Sequence, residues 1–230
     1  MIQTRAVLFD AGNTLIWLDH PFIVDVLREH GVETTAERLL EAEYASKLLM
    51  DELARQGNTD ERTRAKVYFA EMFRHAGAPE SAFPALAQRM FARHAERNLW
   101  GTVHERTGDT LEELRRRGYR LGVISNADGR VEALLESVGL RPHFELVIDS
   151  GVVGIDKPDP RIFHLAAERM GVAPAEALYV GDIYEIDVQG ARAAGMQAIL
   201  IDPLGARGGL DCDRIRAIHD LLDVLPPQAA

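Results

Sequence analysis

The chain has 230 residues, 47% of them hydrophobic and 27% charged, the make-up of a globular protein with a sizeable core in one large or two small domains. Its 36 acidic residues against 26 lysines and arginines give a net charge of −10, which speaks against a nucleic-acid or anionic-lipid partner and requires local positive charge for any anionic substrate. No apolar run reaches the length of a membrane span, no basic-then-apolar export signal opens the chain, and the single cysteine, Cys212, excludes an intrachain disulfide or a multi-cysteine metal site, so a reducing cytoplasm is the expected setting.

The first predicted element is a buried strand at Ala6–Phe9, which runs into Asp10 and the turn-rich Ala11-Gly12-Asn13-Thr14. Gly and Asn are the residues that tolerate left-handed backbone there. From Pro21 to Asn98 apolar residues recur at helical spacing: Ile23, Val24, Val26 and Leu27, then Leu39, Leu40, Tyr44, Leu48 and Leu49, then Met72 and Phe73, then Leu86, Met90 and Phe91. Breaks at Gly31, Gly57-Asn58 and Gly77-Ala78-Pro79 divide this stretch into four helices. After Trp100-Gly101 helices and strands alternate: helix 110–117, strand 119–124, helix 131–138, strand 144–148, helix 160–170, strand 177–180, helix 187–194, strand 197–201 and a last helix beginning near Asp213. Such alternation predicts a parallel sheet covered on both faces. Residues 1–16 and 103–230 are expected to form one discontinuous α/β core domain, interrupted by a helical domain over 17–102.

A parallel sheet places its working crevice at the carboxyl ends of the strands. Four polar loops fall there: Asp10 to Thr14, Ser125-Asn126, Lys157-Pro158-Asp159-Pro160, and Gly181-Asp182 through Asp187. Asp182 and Asp187, set opposite Asp10, would repel one another without a cation. Only three of the cationic residues are lysine (Lys47, Lys66 and Lys157), and one of them stands in these loops. A lysine is a compact point charge where an arginine is a planar fork. Asp159 reads as an N-cap with Pro160 as first helical residue, and Asp128 as the N-cap of the preceding helix.

The runs FDAGNTL, VISNAD, GIDKPDPRIF and VGDIYEIDVQGARAAGM, in this order and with an all-helical insert between the first and second, resemble the haloacid dehalogenase-like (HAD) hydrolase superfamily, in the subgroup whose helical cap follows the first motif. The resemblance covers essentially the whole chain. It implies a Rossmann-like core with an inserted four-helix cap, and a hydrolase acting on a small phosphorylated molecule with Mg²⁺. It makes Asp10 the nucleophile of an aspartyl-phosphate. It assigns Ser125 and Asn126 to the phosphoryl oxygens, and Lys157 to neutralising the nucleophile and the phosphoryl group. The metal ligands it implies are Asp10, the Gly12 backbone carbonyl and Asp182, with Asp187 behind them or orienting water and Lys157. Read without the resemblance, Asp10 ends a strand, Ser125 and Asn126 form a turn or cap, Lys157 is a solvated loop residue and Asp187 caps a helix.

One position departs from the pattern. Phosphatases of the superfamily carry a second aspartate two residues after the nucleophile, which protonates the leaving oxygen and then activates water; here that position is Gly12. Three accounts follow. The chain is a Mg²⁺-dependent phosphatase suited to good leaving groups or supplied with an acid from elsewhere; or a non-enzymatic binding or regulatory protein on this scaffold; or a 2-haloacid dehalogenase, whose halide needs no proton but whose fourth motif lacks the acidic pair kept here. Phosphonate-cleaving relatives also lack the second acid and use a cap lysine, and Lys47 and Lys66, the available candidates, read as surface helix residues. Specificity is expected from the cap, with hinges near 17–20 and 99–102. Trp17 and Trp100 pack at these hinges, and His20 reads as a hinge or surface residue. Acidic neighbours disfavour a Cys212 thiolate, and Pro226-Pro227 reads as a simple chain end.

Overall fold

A computed structural model describes residues 4–57 and 61–228, with side chains from 63 in the second stretch. They form two compact units, one of residues 1–17 with 102–230 and one of residues 18–101. Asn58, half of one expected helix break, lies outside the described residues.

In chain order, β1 is Ala6–Phe9 and β2 is Trp17–Leu18. The helices α1 (His20–Glu29), α2 (Ala36–Arg55), α3 (Glu61–His75) and α4 (Phe83–Glu96) follow, then β3 (Trp100–Thr102), which pairs with β2 in a two-stranded ribbon. The first unit continues with α5 (Thr107–Arg116), β4 (Arg120–Ser125), α6 (Val131–Ser137), β5 (Leu146–Asp149), α7 (Ser150–Val153) and α8 (Pro160–Arg169). It ends with β6 (Ala177–Gly181), α9 (Gln189–Ala193), β7 (Gln197–Ile201), β8 (Asp213–Ile215) and α10 (Leu221–Val224).

Among the described residues the sheet of this unit has the order β5-β4-β1-β6-β7-β8, with every pairing parallel. β1 sits at the middle: Ala6 lies opposite Arg120 on one side and Ala177 on the other. The strand order departs in both directions from β1, so the switch point of the sheet lies at its carboxyl end, where Asp10 stands. Ala6 and Leu8 join a cluster with Ile162, Phe163, Ala166 and Ala191. Val7 and Phe9, on the alternate side, are equally buried, so the run is apolar throughout because both faces are covered.

The helical unit has its own logic. Asp19 caps α1 by accepting from the Phe22 amide, and Thr35 caps α2 by accepting from Arg38. Ile23, Leu27, Leu39, Met72, Phe73, Leu86 and Met90 form its apolar interior. Two residues of the helical pattern point away from it: Leu48 is 53% exposed and Phe91 52%. The inward side of α2 also carries charge. Glu43, Lys47 and Asp51 are buried, so Lys47 is not the surface residue expected, whereas Lys66 is exposed.

Three further expectations change. The last helix does not begin near Asp213. Ile215, Ile218, Leu221 and Leu225 carry helical spacing, but 213–215 pairs as β8 with the edge of β7, and the Asp220 carboxylate takes the amides of Arg216 and Ala217, deferring the helix to Leu221–Val224. Asp128 pairs with Arg130, and the anion serving the start of α6 is Asp149, reaching from β5 to the amides of Gly129 and Val131. The Pro226-Pro227 tail is strapped down: Arg117 bonds the carbonyls of Leu222 and Leu225, Tyr119 donates to that of Pro226, and the Gln228 side chain donates to that of Thr4.

Candidate functional site

The four polar loops converge within the α/β unit. β1 ends in Asp10, whose amide donates to Val180 at 2.8 Å and so continues the pairing with β6. In the turn that follows, the left-handed residue is Asn13, with φ 54°, rather than Gly12. Asparagine is among the few residues that accept that conformation readily.

Lys157 enters from the loop before α8. Asp159 accepts from the Arg161 amide and caps that helix, with Pro160 in the first turn, as the sequence indicates. The loop is held by Asn126. Its side-chain oxygen accepts from the Lys157 amide at 2.8 Å, and its side-chain nitrogen donates to the Lys157 carbonyl at 2.9 Å. The Asn126 side chain therefore fixes the backbone of the lysine. Ser125 is buried at the end of β4.

The Lys157 ammonium is buried and makes three short contacts. Nζ lies 2.7 Å from Asp10 Oδ1, 2.7 Å from Asp187 Oδ1 and 2.8 Å from the Tyr179 hydroxyl. It is not a solvated loop lysine. Asp187 lies in the wide turn Tyr184–Val188 that precedes α9. Its Oδ2 accepts from the amides of Asp182 and Ile183, so it organises the loop after β6 and does not cap α9. The approach is close: a Cβ on Gly181 would stand 2.4 Å from the Asp187 carboxyl carbon, which only glycine avoids at that position.

Carboxylate oxygens from Asp10, Asp182 and Asp187 come within 4.8 Å of one another, a spacing that a divalent cation can span. All three residues are buried. Burial pushes the Asp10 carboxyl up to about 7; Lys157 opposes the shift, and Asp187 and Asp182 add to it. Burial works against the charge on Lys157, yet the attraction of Asp10 and Asp187 holds its pKa above the ordinary lysine value. Tyr179 is raised by burial and by the same acids, so its phenol keeps its proton. Two of these buried acids share Lys157, and the three carboxylates together form a donor set of the kind a divalent cation takes.

Tyr179 and Asp149 carry site geometry that the sequence reading missed. Both sit inside apolar strand runs. A wholly buried tyrosine hydroxyl must find a partner, and that was the available signal for Tyr179. Elsewhere, His20 is paired with Glu43 at 2.8 Å, Trp17 stacks on His104 with ring centroids 4.4 Å apart, and Trp100 meets Phe69 and His94 edge-on. Glu185 is partly buried, and burial is the main cause raising the Cys212 thiol, with Asp213 adding and nearby arginines opposing.

Known proteins similar to this chain share its family and fold. A family model described as haloacid dehalogenase-like hydrolase matches residues 4–195. The Bos taurus haloacid dehalogenase-like hydrolase domain-containing protein 3 is 36% identical over 208 residues, covering 87% of this chain and 82% of that protein. A glyceraldehyde 3-phosphate phosphatase from Methanopyrus kandleri is 32% identical over 204 residues, covering 86% and 83%. The crystal structure of a 2-haloacid dehalogenase from Pseudomonas syringae superposes with a TM-score of 0.59 at 28% identity, covering 97% of this chain and 98% of that one.

Proposed function

Since this chain belongs to the haloacid dehalogenase-like hydrolases, we propose that it is a Mg²⁺-dependent phosphatase of a small phosphorylated metabolite, working through an aspartyl-phosphate at Asp10. The observation that carries this reading is the trio of buried carboxylates, two of them paired with Lys157. A dehalogenase has no use for such a grouping, whereas a phosphatase site uses it to hold a cation.

In this mechanism Lys157 ties down Asp10 Oδ1, so attack on phosphorus falls to Oδ2. The bond from phosphorus to the ester oxygen breaks as the aspartyl–phosphorus bond forms, and water then hydrolyses the acyl phosphate and frees Asp10. Ser125, buried at the end of the neighbouring strand, offers a hydroxyl to the phosphoryl oxygens. Asp182, Asp10 and the Gly12 carbonyl would hold Mg²⁺, with Asp187 behind them, its oxygens already engaged by two amides and Lys157. Bound there, the cation supplies charge neutralisation for the phosphoryl group and the nucleophile. No side chain at Gly12 protonates the leaving oxygen, so leaving groups that depart unprotonated are favoured.

That same glycine favours a second reading, a haloacid dehalogenase, because a departing halide needs no acid. The two are separated by assaying the purified protein with Mg²⁺ on aryl, acyl and alkyl phosphates, glyceraldehyde 3-phosphate among them. Phosphate release from the aryl and acyl esters is expected, abolished by EDTA and by Asp10→Asn. Absence of metal-dependent turnover on every ester would defeat the phosphatase reading, and metal-independent chloride release from a 2-haloacid would establish the other.

A further inference from the structure

We infer that Tyr179 is a positioning residue that holds the Lys157 ammonium onto Asp10; this rests on Asp10 being the nucleophile.

An ammonium has three protons to donate. On Lys157 they meet Asp10, Asp187 and the Tyr179 hydroxyl, all within 2.8 Å. Asp10 and Asp187 are anions and draw the ammonium by charge. Tyr179 is neutral and contributes direction instead. Its oxygen accepts from Lys157, and its single proton is donated to the Ile124 carbonyl at 3.0 Å, with Asp187 Oδ1 at 3.3 Å as the longer contact. The phenol thus anchors the ammonium to the backbone of β4, one residue before Ser125. Asn126, one residue beyond, clamps the other end of Lys157 through its amide and carbonyl. The lysine is fixed head and stem from one strand end.

The ring itself is immobile. It is 0% exposed and meets Phe163 edge-on, with centroids 5.0 Å apart and planes at 81°. Rotation cannot take the hydroxyl off Lys157 without disturbing the cluster beneath the sheet. Held this way, the lysine neutralises the nucleophile. Its loss should register in turnover rather than in substrate binding.

The substitution Tyr179→Phe keeps the ring packing and removes the hydroxyl. With p-nitrophenyl phosphate and Mg²⁺, kcat is expected to fall about 10-fold while KM stays within about twofold. In a Lys157→Met background the same substitution should add no further loss, because a residue acting through Lys157 has nothing left to position. A readout independent of activity uses the fact that Lys47, Lys66 and Lys157 are the only lysines of the chain. Acetic anhydride labelling followed by mass spectrometry should find Lys157 protected in the native protein and several-fold more reactive in Tyr179→Phe. Additive losses in the double variant, a rise in KM at constant kcat, or unchanged labelling of Lys157 would each overturn the proposal. If the native protein hydrolyses no phosphate ester, the phosphatase reading fails, and the labelling result alone decides the role of Tyr179.

Discussion

Gly12 is one hydrogen where the phosphatases of this superfamily place a carboxylic acid. The left-handed conformation in its turn belongs to Asn13, so a side chain at Gly12 meets no penalty from a positive φ. Gly12→Asp is therefore expected to raise alkyl-phosphate turnover by about 10²-fold, the low end of what a general acid contributes, with little change on acyl phosphates. Steady-state kinetics on both classes check this, and an unchanged alkyl rate would mean that the proton already comes from another group. Legibility at this scale divides by how each residue earns its place. Asp10, Lys157, Asp182 and Asp187 stand out in the sequence because charged residues at strand ends interrupt apolar runs. Asn126 is visible, but its side-chain pairing with the Lys157 backbone is not, since it arises only when two loops distant in sequence meet. Tyr179 is hidden because in a strand it counts as apolar, and its hydroxyl acquires meaning only through the register that sets β6 beside β1.

At the scale of elements, two arrangements make strong demands on single positions. The loop after β6 folds back so tightly that Asp187 occupies the space of a Gly181 side chain. Gly181→Ala is expected to push that carboxylate off Lys157 and to cost about 1–3 kcal/mol of stability, read from denaturant unfolding alongside a fall in kcat. The second arrangement is α2, which carries its charges inward. Lys47 Nζ lies 3.6 Å from Glu43 Oε1, and His20 bonds the other oxygen. Burial pushes the Glu43 carboxyl up, but Lys47, His20 and Tyr68 together hold it below its ordinary value of 4.5. A depressed carboxyl contributes stability above its unfolded pKa and loses it as pH falls through the folded one. Acid unfolding of the helical unit should accordingly set in below about pH 4.5. Glu43→Ala, which leaves buried cations without this carboxylate, should cost about 3–5 kcal/mol and flatten that acid limb in circular dichroism titrations. Sequence periodicity found these helices and core positions such as Leu39, Leu86 and Met90, but Leu48 and Phe91 imitate core positions, and on α2 Glu43, Lys47 and Asp51 are buried where periodicity gives no sign of them. The same imitation explains the terminal helix expected near Asp213, where sheet-edge pairing outweighs helical spacing.

For the whole molecule, the surplus of ten acids gathers meaning at one point. Much of it is a solvated surface, yet three carboxylates are buried together within the span of one cation. A cation that binds the folded chain and not the unfolded one stabilises it by about 2.7 kcal/mol at a hundredfold excess over Kd. Mg²⁺ should raise Tm by several degrees in the native protein, and much less in Asp10→Asn or Asp182→Asn; differential scanning calorimetry measures both. Equal shifts in all three proteins would place the ion elsewhere.

The central position of β1 bears on how the protein is made. The strand that carries Asp10 is made well before the two it pairs with: Ala6 lies opposite Arg120, about half the chain further on, and opposite Ala177, further still. At synthesis rates of about 5–20 residues per second, an apolar strand waits on the order of ten seconds or more for its second partner. Until β6 arrives there is neither a completed sheet around Asp10 nor an Asp187 to hold its lysine. Chemistry at Asp10 is thereby withheld until the chain has been made past Asp187, a delay set by contact order.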